Sequence, residues 1–578
     1  MKRHRHDPAT SRALLAAGLL FGACAAARGA ALDLGDSDFK LRWDNTFKYS
    51  AAFRLKDRDA TLVSDLNQDD GDRNFAKGLI SNRLDLLSEA DLTYGNLGLR
   101  VSAAGWYDQV YSRSNDNNSA GLFGPGSSTV NSNGAPNEFL TATRDRHGRQ
   151  AEVLDAFVFG KADIGGARAS LRLGKFAQLW GESVFFGSNA VGGAMTPVDV
   201  VKLVSVPNTQ FKETMLQVPQ VSAQVQFTPD VSLGAYYQFR YRSSRFPGVG
   251  SYFSVSDTTV YGGQFTYLGP ATKAPTRADL DPKDSGQGGI QLRFSAAETD
   301  IGIFLVRFHD KAFQIVPTLG IVTPPVVVPP VIAPTSFQAV YHQGITALGA
   351  SFSRTFGDAN VAGEVSVRDN MDLASSHGAD ASALAPPGVV APNDNVNNPA
   401  YAVGRTAHIN LSTLWQVPRT PLWSEATFIG EIAWNRVLSC QKNCDVYSYT
   451  THTGVIDPNS TRDAVNLRMV FSPTYRQVVP GLDLSVPIGL GYAPKGSRSR
   501  ALGAGASIAE GGGDFSLGVS GSYLDVWRFS LSATHYLGTA KTFLAAPDGS
   551  PPGTAQSFSY GQTLKDRDFI AFSLARTF

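Results

Sequence analysis

Hydrophobic and polar residues alternate along Phe39–Leu55, FKLRWDNTFKYSAAFRL. The odd positions carry Phe39, Leu41, Trp43, Phe47, Tyr49, Phe53 and Leu55, with Asn45 as the one polar exception. The even positions carry Lys40, Arg42, Asp44, Lys48 and Arg54. A period of two is the signature of a β-strand with two different faces. At about 3.3 Å per residue the run spans roughly 56 Å, far longer than a common strand of about 5–6 residues.

The same alternation recurs in pairs. NRLDLLSEADLTY, from Asn82 to Tyr94, turns at Gly95–Asn96 into LGLRVSAAGWYD. VLDAFVFGKADI turns at Gly165–Gly166 into ARASLRLGK, and VSAQVQFT turns at Pro229–Asp230 into VSLGAYYQFRYR. Two-residue connections of this kind between alternating runs predict hairpins. Five further pairs follow, and the chain ends on DRDFIAFSLARTF. Connections alternate between short turns and links of about 20 to 45 residues rich in Gly, Asn, Asp, Ser and Pro. A membrane-spanning barrel requires that asymmetry; a soluble sandwich has no reason for it. The expectation is an all-β transmembrane antiparallel barrel of about 18 strands, with 16 as the alternative, both termini on the side of the short turns. The apolar face then meets lipid and the charged face a wet lumen. By this reading Phe39 to Ala51 face lipid and the wall stands above the membrane near Ala51–Leu55. Asn45 then needs a partner, or the parity slips there through a bulge.

Composition agrees. Charged residues are 17%, aromatics 10%, Gly 57, and net charge is +1, which excludes a general attraction to nucleic acid. The basic start, the apolar run Ala13–Ala27 and the small residues after it predict a secretory signal over residues 1–31, with the barrel over 32–578. Cys24 is then discarded with the signal; a lipoprotein-type signal is the weaker reading, because Phe21 stands where Leu is usual. Cys440 and Cys444 remain, a candidate small-loop disulfide in an oxidising compartment; a metal site would need more ligands than lie nearby. The most apolar later stretch, IVPTLGIVTPPVVVPPVIAP from Ile315 to Pro334, is too rich in proline for a regular helix and reads as an apolar outer loop.

Phe578 is a terminal aromatic with Leu574, Phe572 and Ile570 alternating behind it, although Arg576 interrupts the apolar pattern. This is similar to the tail by which outer-membrane barrels engage the barrel-assembly machinery. Further stretches carry a wider resemblance: GDRNFAKGLISNRLDLLSEADLTYGNLGLRVSAAGWYD, LGKFAQLWGESVFFGSNAVGGAMTPVDVVKL, FKETMLQVP and GASFSRTFGDANVAGEVSVRDN. Together with the C-terminal run they resemble the exported proteobacterial family catalogued as domain-of-unknown-function 1302. The resemblance implies an outer-membrane-associated protein. It also implies, by association alone, lipid-handling lipoproteins or exporters of the resistance–nodulation–division type as partners, and hydrophobic cargo.

Candidate sites lie in two places. The long link Phe176–Gln220 is unusually apolar (Val184, Phe185, Phe186, Val200, Val201, Leu203, Val204) and holds Trp180, Glu182, Ser183, Asp199, Lys212 and Glu213. An apolar outer loop exposes greasy surface unless it folds inward. It is expected to enter the lumen as a plug or constriction, its charges paired to strand charges; the alternative is an outer lid. Lumen-side parity collects Arg42, Arg83, Asp85, Arg168, Arg172, Arg240, Arg242, Glu364, Arg368 and Glu431, a wall of mixed sign that either steers a solute or cross-links a plug. LNQDDGDRNF, Leu66–Phe75, carries Asp69, Asp70 and Asp72 in a partial calcium-loop spacing, and a solvated acidic loop is the preferred reading.

No elbow, phosphate-loop, dinucleotide or His-Glu-x-x-His motif is present, so neither an enzyme nor a cofactor is expected. The expected function is passage of a small hydrophobic or amphipathic molecule across the bacterial outer membrane. A general diffusion porin and a surface adhesin or assembly scaffold are the alternatives.

Overall fold

The computed structural model describes residues 30–32, 38–117, 119, 135, 137–207, 211–258, 261–269, 272–322, 331–495, 499–502, 509–551 and 553–578. Eighteen antiparallel strands close into one barrel. They are β1 Phe39–Arg54, β2 Gly78–Tyr94, β3 Leu97–Asp108, β4 Arg149–Ile164, β5 Ala167–Phe176 and β6 Val218–Thr228. Next come β7 Val231–Gln238, β8 Gln287–Ala296, β9 Thr299–Phe308, β10 Ile345–Phe356, β11 Ala359–Asp372 and β12 Val403–Val417. The last are β13 Glu425–Lys442, β14 Asp463–Val479, β15 (Leu482–Ser485 and Ile488–Lys495), β16 Gly513–Tyr523, β17 Trp527–Leu537 and β18 Phe569–Thr577. Each pairs with its neighbour in sequence, and β18 closes on β1 from Thr46↔Thr577 to Arg54↔Phe569. Pro487, which has no N–H to donate, falls in the break within β15.

The two faces invert the pattern of a soluble protein. Leu171, Ile290, Ile303, Leu348, Leu411, Ile432, Leu517 and Leu531 are exposed on the outside, whereas Ser50, Gln238, Gln291, Ser366, Arg368, His408, Asn410 and Ser573 are buried. An apolar belt around a closed hydrogen-bonded wall is what lipid requires, because lipid offers backbone groups no partner. Short turns line one rim. At Gly95–Asn96 the turn uses a glycine at φ 53°, in the left-handed region that two-residue hairpins need. Long links line the other rim.

At four points the structure refines the sequence expectations. β1 pairs with β2 along its whole length but overhangs the closing strand at its start: β18 has nine residues and ends opposite Thr46, so Phe39–Asp44 run past it on the side of the short turns, while Arg54 is level with the start of β18. The parity does not slip at Asn45. Its register against β2 is continuous, and it exchanges backbone hydrogen bonds with Phe578 (2.8 and 2.9 Å), whose ring stacks on Phe47. β7 stops at Gln238, so Arg240 and Arg242 lie beyond the wall strand. The acidic run is not solvated: Asp70–Arg73 forms a helical turn, and Asp69, Asp70 and Asp72 are buried. Of the expected signal, residues 1–29 lie outside the described residues; Ala30–Leu32 pairs with Leu41–Trp43. Within the proline-rich stretch Gln314–Ile321 pairs with Ile332–Val340, and residues 323–330 lie outside the described residues.

Cys440 and Cys444 form a disulfide with Cα atoms 5.6 Å apart near the end of β13.

Candidate functional site

The link between β5 and β6 runs against the inner face of the wall. Over residues 177–190 its backbone is irregular and mostly half-buried against the wall, so its amides and carbonyls need partners. Inward side chains of three adjacent strands supply them. On β13, Glu431 accepts from Ser183 Oγ (2.7 Å) and Asn410 Nδ2 (2.6 Å) through Oε1. Its Oε2 accepts from the amides of Val184 (3.0 Å), Phe185 (2.5 Å) and Phe186 (3.1 Å). On β11, Glu364 accepts from the Glu182 amide at 3.0 Å and from the Val191 amide. Arg368, four residues further along the same face of β11, donates to the carbonyls of Ser188, Asn189 and Ala190 at 3.1, 2.9 and 3.0 Å. The Asn189 side chain donates to Asn410 Oδ1 (2.8 Å) and accepts from Asn435 Nδ2 (3.1 Å), with His408 Nδ1 at 2.9 Å.

Apolar packing fixes the same segment. Val191, Ala194 and Met195 join Tyr236, Phe304, Val306, Phe308, Ile345 and Ala347 in one buried cluster, and Trp180 packs on it, edge-on to Tyr236 with ring centres 5.0 Å apart. Gly181 has φ 94°, and a Cβ there would lie 2.1 Å from Glu364 Oε2, so the chain approaches that carboxylate only as glycine.

The second half of the link meets the wall near β1–β4. Asp199 caps Val200–Ser205 through the Lys202 amide (3.0 Å) and pairs with Arg245 (2.7 Å), which also pairs with Glu152 (2.6 Å). Lys202 and Arg83 both lie 4.8 Å from the Trp106 ring, and Arg83 pairs with Asp85 at 2.7 Å. Glu182 lies 4.0 Å from Arg293. The pairing of link charges to strand charges is therefore the minor theme: wall carboxylates and Arg368 hold mainly the link's backbone. Arg42, Arg168 and Arg172 do not join the site. The exposed Arg42 pairs with the half-buried Asp44, Arg168 pairs with Asp163 with both exposed, and Arg172 is exposed. The Lys212 side chain lies outside the described residues. Sequence parity missed Asn189, whose amide carries no pattern, and also Glu152, Arg245, Asn410 and Asn435.

Beside the anchored link a cavity of about 430 Å³ remains. Its lining comes from β1, β2 and β13–β18, with Glu213 as the link's contribution. Lys48, Arg476 and Arg528 face Asp85, Glu213, Glu425, Asp483 and Asp525, with Leu87, Leu484 and Phe529 between them. Arg476 bridges Glu425 (2.5 Å) and Asp483 (2.6 Å). At the rim of long links, loops close over the inner ends of β1 and β18. Phe75, Tyr111, Phe139, Tyr252 and Phe253 pack on inward Ala52 and Ala571. Beneath this cap Arg54 pairs with Asp72 and Asp566, both at 2.7 Å, and Arg567 lies 3.4 Å from Asp72. Burial, and then the neighbouring Asp72, push the Asp566 carboxyl up to about 6.

A closed barrel with an apolar belt, a polar lumen and an inward link is a β-barrel of the outer-membrane type. The chain belongs to the family described as "Protein of unknown function (DUF1302)", whose model matches residues 11–578. Among curated proteins none matches it. Solved structures similar to it include OccAB3 of Acinetobacter baumannii (10% identity, 93% of this chain and 99% of that one, TM-score 0.41). OpdK of Pseudomonas aeruginosa, solved with vanillate, matches at 10% identity over 93% and 98% (TM-score 0.37). OmpF of Salmonella typhi, in complex with daunomycin, matches at 6% identity over 94% and 99% (TM-score 0.34).

Proposed function

We propose that this protein is a selective channel of the bacterial outer membrane, passing a small amphipathic solute past the inward link. A barrel of this many strands holds an aqueous lumen unless it is filled. The observation that carries the reading is the division of that lumen: a link anchored along β11–β13 faces an off-centre cavity lined by Lys48, Asp85, Arg476 and Asp483. Charges of both signs, set among Leu87, Leu484 and Phe529, suit a molecule with polar and apolar parts better than a hydrocarbon. The mixed sign gives weak ion selectivity. No catalytic group is needed, and Phe578, beside Asn45 at the seam, is the segment offered to the assembly machinery.

Liposome swelling tests this. Proteoliposomes are expected to swell faster with small zwitterionic or amphipathic solutes than with neutral sugars of equal size. Equal rates for all solutes below a size limit would make the protein a general diffusion porin. No permeation by solutes or ions would favour a scaffold.

A further inference from the structure

The cap above the cavity contains a group that channel function does not use. Asp69 and Asp70, in the link between β1 and β2, meet Asp257, in the link between β7 and β8. One carboxylate oxygen from each lies within 4.8 Å of the others. All three side chains are buried, Asp257 at 0% exposure and Asp69 at 1%. The two links are joined tightly around them. The Asp70 amide donates to Asp257 Oδ2 (2.9 Å), the Asp257 amide donates to the Asn67 carbonyl (2.9 Å), and Asn74 Nδ2 donates to the Gly250 carbonyl (2.7 Å). Gly71 permits this approach: a Cβ there would lie 2.4 Å from the Ser254 carbonyl oxygen.

A second observation points to a ligand. Asp69 Oδ2 accepts from Arg73 Nε and Asp257 Oδ2 from the Asp70 amide, but Asp69 Oδ1 and Asp257 Oδ1 have no hydrogen-bond partner among the described residues. Carboxylate oxygens buried without a donor are costly. Crowded carboxylates must recruit a cation or take up protons. The ligand atoms are all oxygen, which selects a hard cation. Oxygens held about 2.3–2.6 Å from one calcium ion can stand up to about 5 Å apart, so the cluster's spread fits.

We propose that Asp69, Asp70 and Asp257 bind a divalent cation of the calcium class, which fastens the first long link to the link after β7. Because these links form the cap over inward Ala52 and Ala571, the ion holds the mouth above the cavity closed. Protonation is the competing way to relieve the crowding: burial and then Asp70 push the Asp69 carboxyl up to about 8, and burial, with Asp70 and Asp69 beside it, holds Asp257 well above the usual carboxylate range.

The test uses the full chain refolded in detergent without lipopolysaccharide, stripped with chelator and titrated with Ca²⁺ at pH 7.5 by calorimetry. Wild type is expected to bind about one ion per chain and to melt at a higher temperature in Ca²⁺ than in chelator. Asp257→Asn is expected to weaken binding at least about tenfold, with Asp69→Asn as a second variant should the first fail to fold. A wild type that takes up no Ca²⁺ and melts identically in Ca²⁺ and chelator would overturn the proposal. So would undiminished affinity in a folded variant.

Discussion

Glu431→Gln isolates the contact that ties the link to the wall. The carboxylate receives five donors, three backbone amides on Oε2 and the Ser183 hydroxyl and Asn410 amide on Oε1. Glutamine keeps the shape but replaces one acceptor oxygen by an NH₂ group, which must face donors whichever way the amide turns. The remaining bonds also lose their charge assistance. Leaving a buried donor unsatisfied costs about 1–3 kcal/mol; these donors are half-buried, so two losses at the low end of that range, together with the lost charge assistance, sum to about 3 kcal/mol. Glu364 and Arg368 still hold residues 188–191, so opening is confined to residues 183–186. Hydrogen exchange read by mass spectrometry follows this directly. About 3 kcal/mol of local destabilisation accelerates exchange by about 100-fold in peptides containing Val184–Phe186, with β-strand peptides unchanged. Unaltered exchange at Val184–Phe186 would refute the anchoring role. Acceleration spread over the barrel would show that Glu431 supports the fold at large.

Three further outcomes are expected. Arg567→Met leaves Asp72 and Asp566 with one arginine fewer in a fully buried network and should lower stability by about 3–5 kcal/mol; a loss under about 1 kcal/mol in thermal unfolding would contradict it. In chelator, Asp69 has a folded pKa of about 8, above an unfolded value near 3.9. The folded state therefore binds more protons between these values, and cap stability falls as pH rises from about 4 to about 8; exchange of residues 66–74, corrected for its intrinsic rate, should lose protection over that window, and a gain would be contrary. Arg476→Ser removes a cation from the cavity wall, so the reversal potential in a salt gradient should shift towards cation selectivity; an unchanged potential would place Arg476 off the conduction path.

The barrel was legible because two independent periodicities coincide. Side-chain parity marked the strands, and the alternation of short and long connections marked the rims, so eighteen strands could be counted before any contact was known. Parity alone places Arg83, Asp85, Glu364, Arg368 and Glu431 on the lumen side. What they hold was not legible. A charged residue on a strand suggests an opposite charge as partner, yet Glu364, Glu431 and Arg368 meet backbone amides and carbonyls, which carry no sequence signal. Asp69 and Asp70 read as solvated because local pattern cannot report that a link almost two hundred residues later covers them. The start of β1 overshoots for a similar reason: where β1 ends relative to the wall depends on the nine residues of β18, at the other end of the chain.

Single-channel conductance in planar bilayers, for wild type and for a chain in which Val184–Met195 is replaced by a short Gly-Ser bridge, tests most directly that the inward link narrows the pore. A stable, severalfold larger conductance is expected in the bridged chain, with heat-modifiable migration on gels showing that the barrel itself is intact. Equal conductance in the two folded proteins would contradict it.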